Sequence, residues 1–213
     1  MAVTWHPQNK SDDITLSGSD LVSANNGTGT FWGTGLGSRG KQFGKWYFEV
    51  TIDDRGGHAS GCNIGVALAA MNLEEQIGAN ANSWGYNCDG KKGFSNSYEA
   101  FGDVYTDAAV IGVALDLDVG KIWFSLDDVW QDSGNPAAGT GEAYASMAGL
   151  GPMFPGFSGF KDADLQQVTA NFGASAFAGT KPSGFNAFDV IVPTVKPSGQ
   201  RAFTSLSPFR HYR

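Results

Sequence analysis

The sequence predicts an all-β fold, an antiparallel sandwich of short strands with little helix. Three observations predict it. Apolar and polar residues alternate with a period of two over several stretches, the pattern of strands with two unlike faces. Glycine fills 30 of the 213 positions, about double its usual share. Aromatic residues reach 13%, and rings combined with Gly-rich turns favour sheets over helices. Hydrophobic residues, at 41%, supply a core for one domain.

The elements follow in chain order. In "KWYFEVTID" (45–53), Trp46, Phe48, Val50 and Ile52 share one face, and Tyr47, Glu49, Thr51 and Asp53 share the other. In "CNIGVAL" (62–68), Ile64, Val66 and Leu68 line one side. "NLEEQIG" (72–78) predicts one short helical turn, with Asn72 as its cap and Gly78 as its stop. In "VIGVALDLDVGKIWFS" (110–125), Ile111, Val113, Leu115 and Leu117 oppose Gly112, Ala114, Asp116 and Asp118. Gly120 then turns the chain, so 110–126 reads as a hairpin. Asp127 and Asp128 make a second tight turn, and "PMFPGFS" (152–158) and "QVTANFG" (167–173) are late strands.

Composition changes near residue 193. The last 21 residues carry Lys196, Arg201, Arg210 and Arg213, three prolines and no acid. Formal charge is −7 overall, with 14 basic residues against 21 acidic, so residues 1–192 carry −11. The expected organisation is a domain over 1–192 and an extended, basic C-terminal arm over 193–213, since Pro lacks the donor a central strand needs. The acidic body disfavours nucleic acid and anionic lipid as partners. No run approaches the length of a membrane span, and the N-terminal segment has no apolar stretch of the signal-peptide kind. Synthesis in a cytoplasm without a signal peptide is the expectation.

Chemistry is sparse. "GLGSRGKQ" (35–42) spaces Gly35, Gly37, Gly40 and Lys41 as phosphate-binding loops do. Such loops need a helix to follow, and here a strand follows, with Gln42 where a magnesium-binding hydroxyl belongs. His6, His58 and His211 are far apart, and no HExxH or GxSxG pattern occurs. Cys62 and Cys88 form neither a disulfide framework nor a zinc set, although one cross-link between neighbouring strands stays open. Asp116 and Asp118, with Asp103 and Asp107 nearby, offer oxygens to a metal or serve as structural acids beside a turn. The structural role is expected, with no catalytic residue, metal or cofactor.

Six blocks together resemble one family. "GKWYFEV" (44–50), "IGVA" (64–67), "SWGYNCDGKK" (83–92), "DAAVIGVALDLDVGKIWFSLDDVWQ" (107–131), "MFPGFS" (153–158) and "VTANFG" (168–173) stand in the order of a SPRY domain. The opening segment and "KPSGFNAF" (181–188) look most like SPRY proteins encoded by bacteriophages and prophages. The resemblance implies a bent antiparallel β-sandwich and a non-enzymatic binding module whose variable loops meet a partner. This sequence has Asp127-Asp128 where the family pattern has Asn-Gly, so a turn of other geometry is expected there. The loop 131–151 looks long.

The function expected on this basis is a virion protein, a capsid decoration, tail fibre or tail-associated subunit, docking on other virion proteins. A domain recognising a host-surface receptor or glycan is the alternative, and an intracellular protein-interaction adaptor a further one. Candidate partner-binding residues are Asn80, Asn82, Tyr98, Phe101 and Asn135 in the loops. In the arm they are Lys196, Arg201, Phe203, Phe209, Arg210 and Tyr212. A homo-oligomer is compatible with this reading.

Overall fold

The computed structural model describes residues 1–27, 31–161 and 165–191. The alternating stretches become the strands of two antiparallel sheets. The first sheet runs β1 (Trp5–Lys10), β4 (Trp32–Gly37), β13 (Met153–Phe160), β6 (Cys62–Leu68), β7 (Ser83–Asn87), β8 (Lys91–Phe94) and β9 (Ser97–Ala100). The second runs β12 (Val129–Trp130), β11 (Lys121–Leu126), β10 (Val110–Asp116), β5 (Lys45–Asp54), β14 (Gln166–Asn171), β3 (Val22–Asn25) and β2 (Ile14–Ser17). A short strand, β15 (Asn186–Ala187), pairs with β5 in parallel. Helix among the described residues is one 3-10 turn at Gln131–Ser133. The segment at 72–78 is a hydrogen-bonded turn rather than a helix, although Asn72 does cap it through the Glu74 amide, at 3.2 Å.

The core lies between the sheets. Phe48, Val50, Ile52, Ile111, Val113 and Leu115 from the second sheet bury against Ile64, Val66, Trp84, Tyr86 and Phe157 from the first. Rings interlock through it. Phe48 packs on Phe188 at 5.5 Å and on Phe172 at 5.9 Å, and Trp5 meets Phe172 edge-on at 5.4 Å. Edge-to-face contacts of this kind add to the burial of the rings themselves.

The hairpin at 110–126 forms with Asp116 opposite Lys121 at its closed end. Its acids are structural anchors. Asp116 is buried and pairs with Lys45 at 3.0 Å, and its Oδ1 also accepts the Asp118 amide. Asp118 accepts the amide of Gly44 at 2.8 Å, tying the hairpin to the start of β5.

The turn at Asp127-Asp128 corrects the expectation of another geometry. Both residues are left-handed, at φ 49° and 67°, the backbone that a two-residue hairpin turn prefers. Side-chain bonding offsets the strain that Gly would avoid. Asp127 Oδ1 accepts the Val110 amide at 2.8 Å, and Asp128 accepts both the amide and the hydroxyl of Thr180.

The outer face of β5 is covered, so the second sheet is buried on both sides near its centre. Tyr47, Ala114, Trp123 and Phe185 form a second apolar layer, with Phe177 and Trp130 against it. Glu49 is buried beneath this cover and accepts the Ala178 and Gly179 amides and the Tyr47 hydroxyl, at 2.8–2.9 Å. Buried polar groups need such partners, and these donors supply them. Burial, with Glu49 beside it, pushes the Tyr47 hydroxyl well above its ordinary range.

Cys62 and Cys88 are free and buried side by side on β6 and just beyond β7. Desolvation pushes both thiols upward. Two outcomes follow for experiment. Maleimide should modify neither cysteine in the native protein and both after denaturation, read by mass spectrometry. Phe48→Ala should cost about 3–5 kcal/mol in denaturant unfolding, because it empties a site walled by Phe172 and Phe188.

Candidate functional site

The outer face of the first sheet carries a strap, residues 69–82. Thr34 fixes it twice, its amide donating to the Leu73 carbonyl and its hydroxyl to the Glu75 carbonyl, at 2.9 and 2.6 Å. The Ile77 amide donates to Ser158 Oγ at 2.7 Å, and the Gly78 amide to Ser83 Oγ at 2.9 Å. Met71 and Ile77 pack on Leu36 and Ala67 below. Gly85 lets the strap sit this close, since a Cβ there would lie 2.7 Å from Ile77 Cγ2.

Beside the strap the sheet forms an open cleft of about 370 Å³. Trp32, His58 and Phe160 line it together with Tyr98, Gln76, Asn87, Ser60, Asp89 and Lys91. Pairing of β4 with β13 puts Trp32 opposite Phe160, with ring centroids 5.2 Å apart. His58 leans on Phe160 at 4.5 Å, and its Nδ1 accepts the Ser60 amide. Tyr98 on β9 faces Gly93 on β8. Its ring lies down across that glycine, where a Cβ would come within 2.6 Å of Tyr98 Cε1. Burial pushes the Tyr98 hydroxyl up to about 12, and the charge of Asp89 adds to the effect.

Polar groups are set between these rings. Gln76 reaches in from the strap and accepts from Asn63 Nδ2 at 3.1 Å. Asn87 ends β7 and is only 4% exposed, and its Oδ1 has no hydrogen-bond partner among the described residues. An unmatched buried acceptor is costly, so a donor entering the cleft gains what the folded chain leaves unmade. Asp89 and Lys91 pair at 2.6 Å on the rim. The set can stack on a flat or apolar group, accept an N–H or O–H at Asn87, and meet either charge at the rim. Among the described residues no group of three or more His, Cys, Asp or Glu side chains is placed to hold a metal.

The loop residues picked from the sequence lie at separate places. Tyr98 lines the cleft. Asn80 and Asn82 close the end of the strap: Asn80 donates to Glu75 and accepts the Asn82 amide, and Asn82 donates to the Ala70 carbonyl. Phe101 packs on Tyr86 and Phe124 at the margin of the core. Asn135 closes a turn with Thr140 through paired backbone bonds. Lys196, Arg201, Phe203, Phe209, Arg210 and Tyr212 lie outside the described residues. Sequence reading missed Trp32, His58, Gln76, Asn87 and Phe160. The one trace of them was the alternation of "SWGYN", which sets Asn87 on the face opposite Trp84 and Tyr86.

Comparison with known proteins identifies the fold. The SPRY domain family matches residues 45–174. The chain belongs to the SPRY family. A human SPRY domain of known crystal structure superposes with a TM-score of 0.60 at 20% identity, covering 78% of this chain and 99% of that one. The SPRY domain of human HERC1 gives 0.60 at 15% identity, over 81% and 99%. By sequence, the ATP-dependent RNA helicase Ddx1 of Drosophila melanogaster is 34% identical over 89 residues, 42% of this chain and 11% of the helicase. The probable helicase ddx1 of Dictyostelium discoideum is 29% identical over 137 residues, 64% of this chain and 15% of that protein. This SPRY chain thus spans a small part of the length of those relatives, and the SPRY fold it shares with them is a protein-interaction fold.

Gly85→Ala tests how the strap is seated. It should lower stability by about 1–3 kcal/mol, as overpacking does, and should speed hydrogen exchange at the Ile77 and Gly78 amides.

Proposed function

We propose that this SPRY domain is a non-enzymatic module that holds a short peptide segment of a protein partner in the cleft between Trp32, Phe160 and Tyr98. The unmatched Oδ1 of buried Asn87 carries the reading. A peptide brings what the cleft lacks, a backbone or amide N–H for that oxygen. It also brings an apolar side chain to stack on the rings and a charged group to meet Asp89 or Lys91. Aromatic side chains that are already positioned lose little entropy on binding, which suits them to anchoring roles.

A glycan is the second reading, because hydroxyl donors and ring stacking serve a sugar in the same cleft. The virion setting is a narrower form of the first reading: the module docks on neighbouring virion subunits, after synthesis in a host cytoplasm. The basic residues beyond 192 support it. The helicase relatives support an adaptor setting instead, with the module as one part of a larger protein. Co-purification with intact particles at a fixed copy number separates these settings.

Selection from a random peptide library, alongside a glycan array, tests the cleft itself. Wild-type protein should enrich a consensus peptide, and Trp32→Ala and Tyr98→Ala should each weaken it at least tenfold with little change in melting temperature. Enrichment that survives both substitutions contradicts the proposal, and binding to glycans alone replaces it with the second reading.

A further inference from the structure

A second cleft, of about 520 Å³, lies where the β4–β5 connection meets Pro152 and Ile191, and it shares no residue with the aromatic cleft. Two cations line it, Arg39 and Lys41. In a chain of net charge −7, two cations beside one cleft are expected to have acidic partners. Among the described residues neither forms an ion pair, and the pairs present involve Lys45, Lys91 and Lys121 instead.

Lys41 is nearly buried. Its Nζ donates to the Val190 carbonyl at 2.7 Å and stands 3.7 Å from the centroid of the Trp46 ring. Arg39 donates one N–H to the Met1 carbonyl at 2.9 Å, and its Nη1 is buried without a partner among the described residues. Asp189 is a carboxylate whose charge reaches Lys41, and its Oδ1 is engaged by the Val3 amide. The walls are apolar and open to solvent, with Phe43 56% exposed and Ile191 69% exposed. Among the described residues no acid lines the cleft.

We propose that this cleft docks an acidic peptide segment of a protein partner, one that sets a carboxylate beside an aliphatic or aromatic side chain. The carboxylate bonds the Arg39 guanidinium and lies within the field of Lys41. The apolar side chain lies on Phe43 and Ile191. Charge complementarity selects the occupant: the cleft offers positive charge and apolar surface together, on a body whose overall negative charge repels acidic partners elsewhere. The same overall charge disfavours a long polyanion such as nucleic acid, whose charge extends far beyond the cleft.

Lys41 adds a pH signature. Burial first, and the Arg39 charge after it, hold its amine down to about 8 against the opposing charge of Asp189. A bound carboxylate favours the ammonium form. Binding is therefore full below about pH 8 and weakens as the amine loses its proton above it.

The test is fluorescence anisotropy with a labelled peptide of alternating Glu and Phe. Controls are the same peptide with Gln for Glu and a single-stranded oligothymidylate. The Glu peptide should bind, the Gln peptide and the oligonucleotide should bind at least tenfold more weakly, and raising the pH from 7 to 9 should weaken the Glu peptide several-fold. Arg39→Gln and, independently, Phe43→Ser should each weaken it at least tenfold with the melting temperature unchanged. Phe43 is 56% exposed, so its substitution tests the cleft independently of any stability lost with the Arg39 bond to the Met1 carbonyl. Trp32→Ala, in the other cleft, should leave this binding intact. Absence of Glu-peptide binding, equal affinity for the Gln peptide, preference for the oligonucleotide, or indifference to both substitutions overturns the proposal.

Discussion

The ladder between β5 and β10 is the constraint on which the rest of the molecule depends. It runs without interruption from the Val110–Thr51 pair to the Asp116–Lys45 pair, and its last pair is also an ion pair. Both strands are buried on both faces through most of this length. A slip of one residue would exchange the two faces. That would send Phe48 and Val113 into the outer layer and Glu49 into the aromatic core. Glu49 is stable only where the Ala178 and Gly179 amides await it, so its placement and the register enforce each other. The ladder thereby fixes β11 and β14 on its flanks, and the core rings of this sheet fix the height at which the first sheet lies.

From that scaffold the aromatic cleft inherits its rigidity. Trp32 and Phe160 stand on paired strands, and Asn87 ends a strand facing Asn63. Sites on strands hold their side chains more sharply than sites on loops. Only His58, Ser60, Gln76 and Asp89 come from connections. Gln76 in turn is held by a strap bonded to the sheet through Thr34, Ser158 and Ser83. The aromatic cleft is therefore a property of the first sheet, and the second sheet is its foundation.

Much of the fold was legible in the sequence because period-two alternation is a local signal. The 110–126 hairpin and the inward faces of 45–53 and 62–68 all emerged from it. Features made by distant segments were not legible. The cover over Tyr47 and Glu49 comes from residues about 130 positions later. No local pattern announces that a strand's polar face will be buried. The Asp127-Asp128 turn was misjudged for a related reason. Left-handed Asp is unfavourable by local rules, and Thr180, from a remote segment, supplies part of the compensation. The cleft shows the same limit. Tyr98 stood out as a ring in an Asn-rich loop, whereas Trp32 and Phe160 become neighbours only when β4 pairs with β13. Asn80, Asn82 and Asn135 drew notice as loop amides, and the structure uses each of them to close a turn.

Hydrogen exchange of the protein with and without a library-selected peptide shows whether a partner is held on the outer face of the first sheet. Protection gained at residues 58–60, 76–78, 87–91 and 97–98, with β5 and β10 equally slow in both states, is the predicted result. Protection confined to the loop 131–151, or spread across the outer layer of the second sheet near Tyr47 and Phe185, would contradict it.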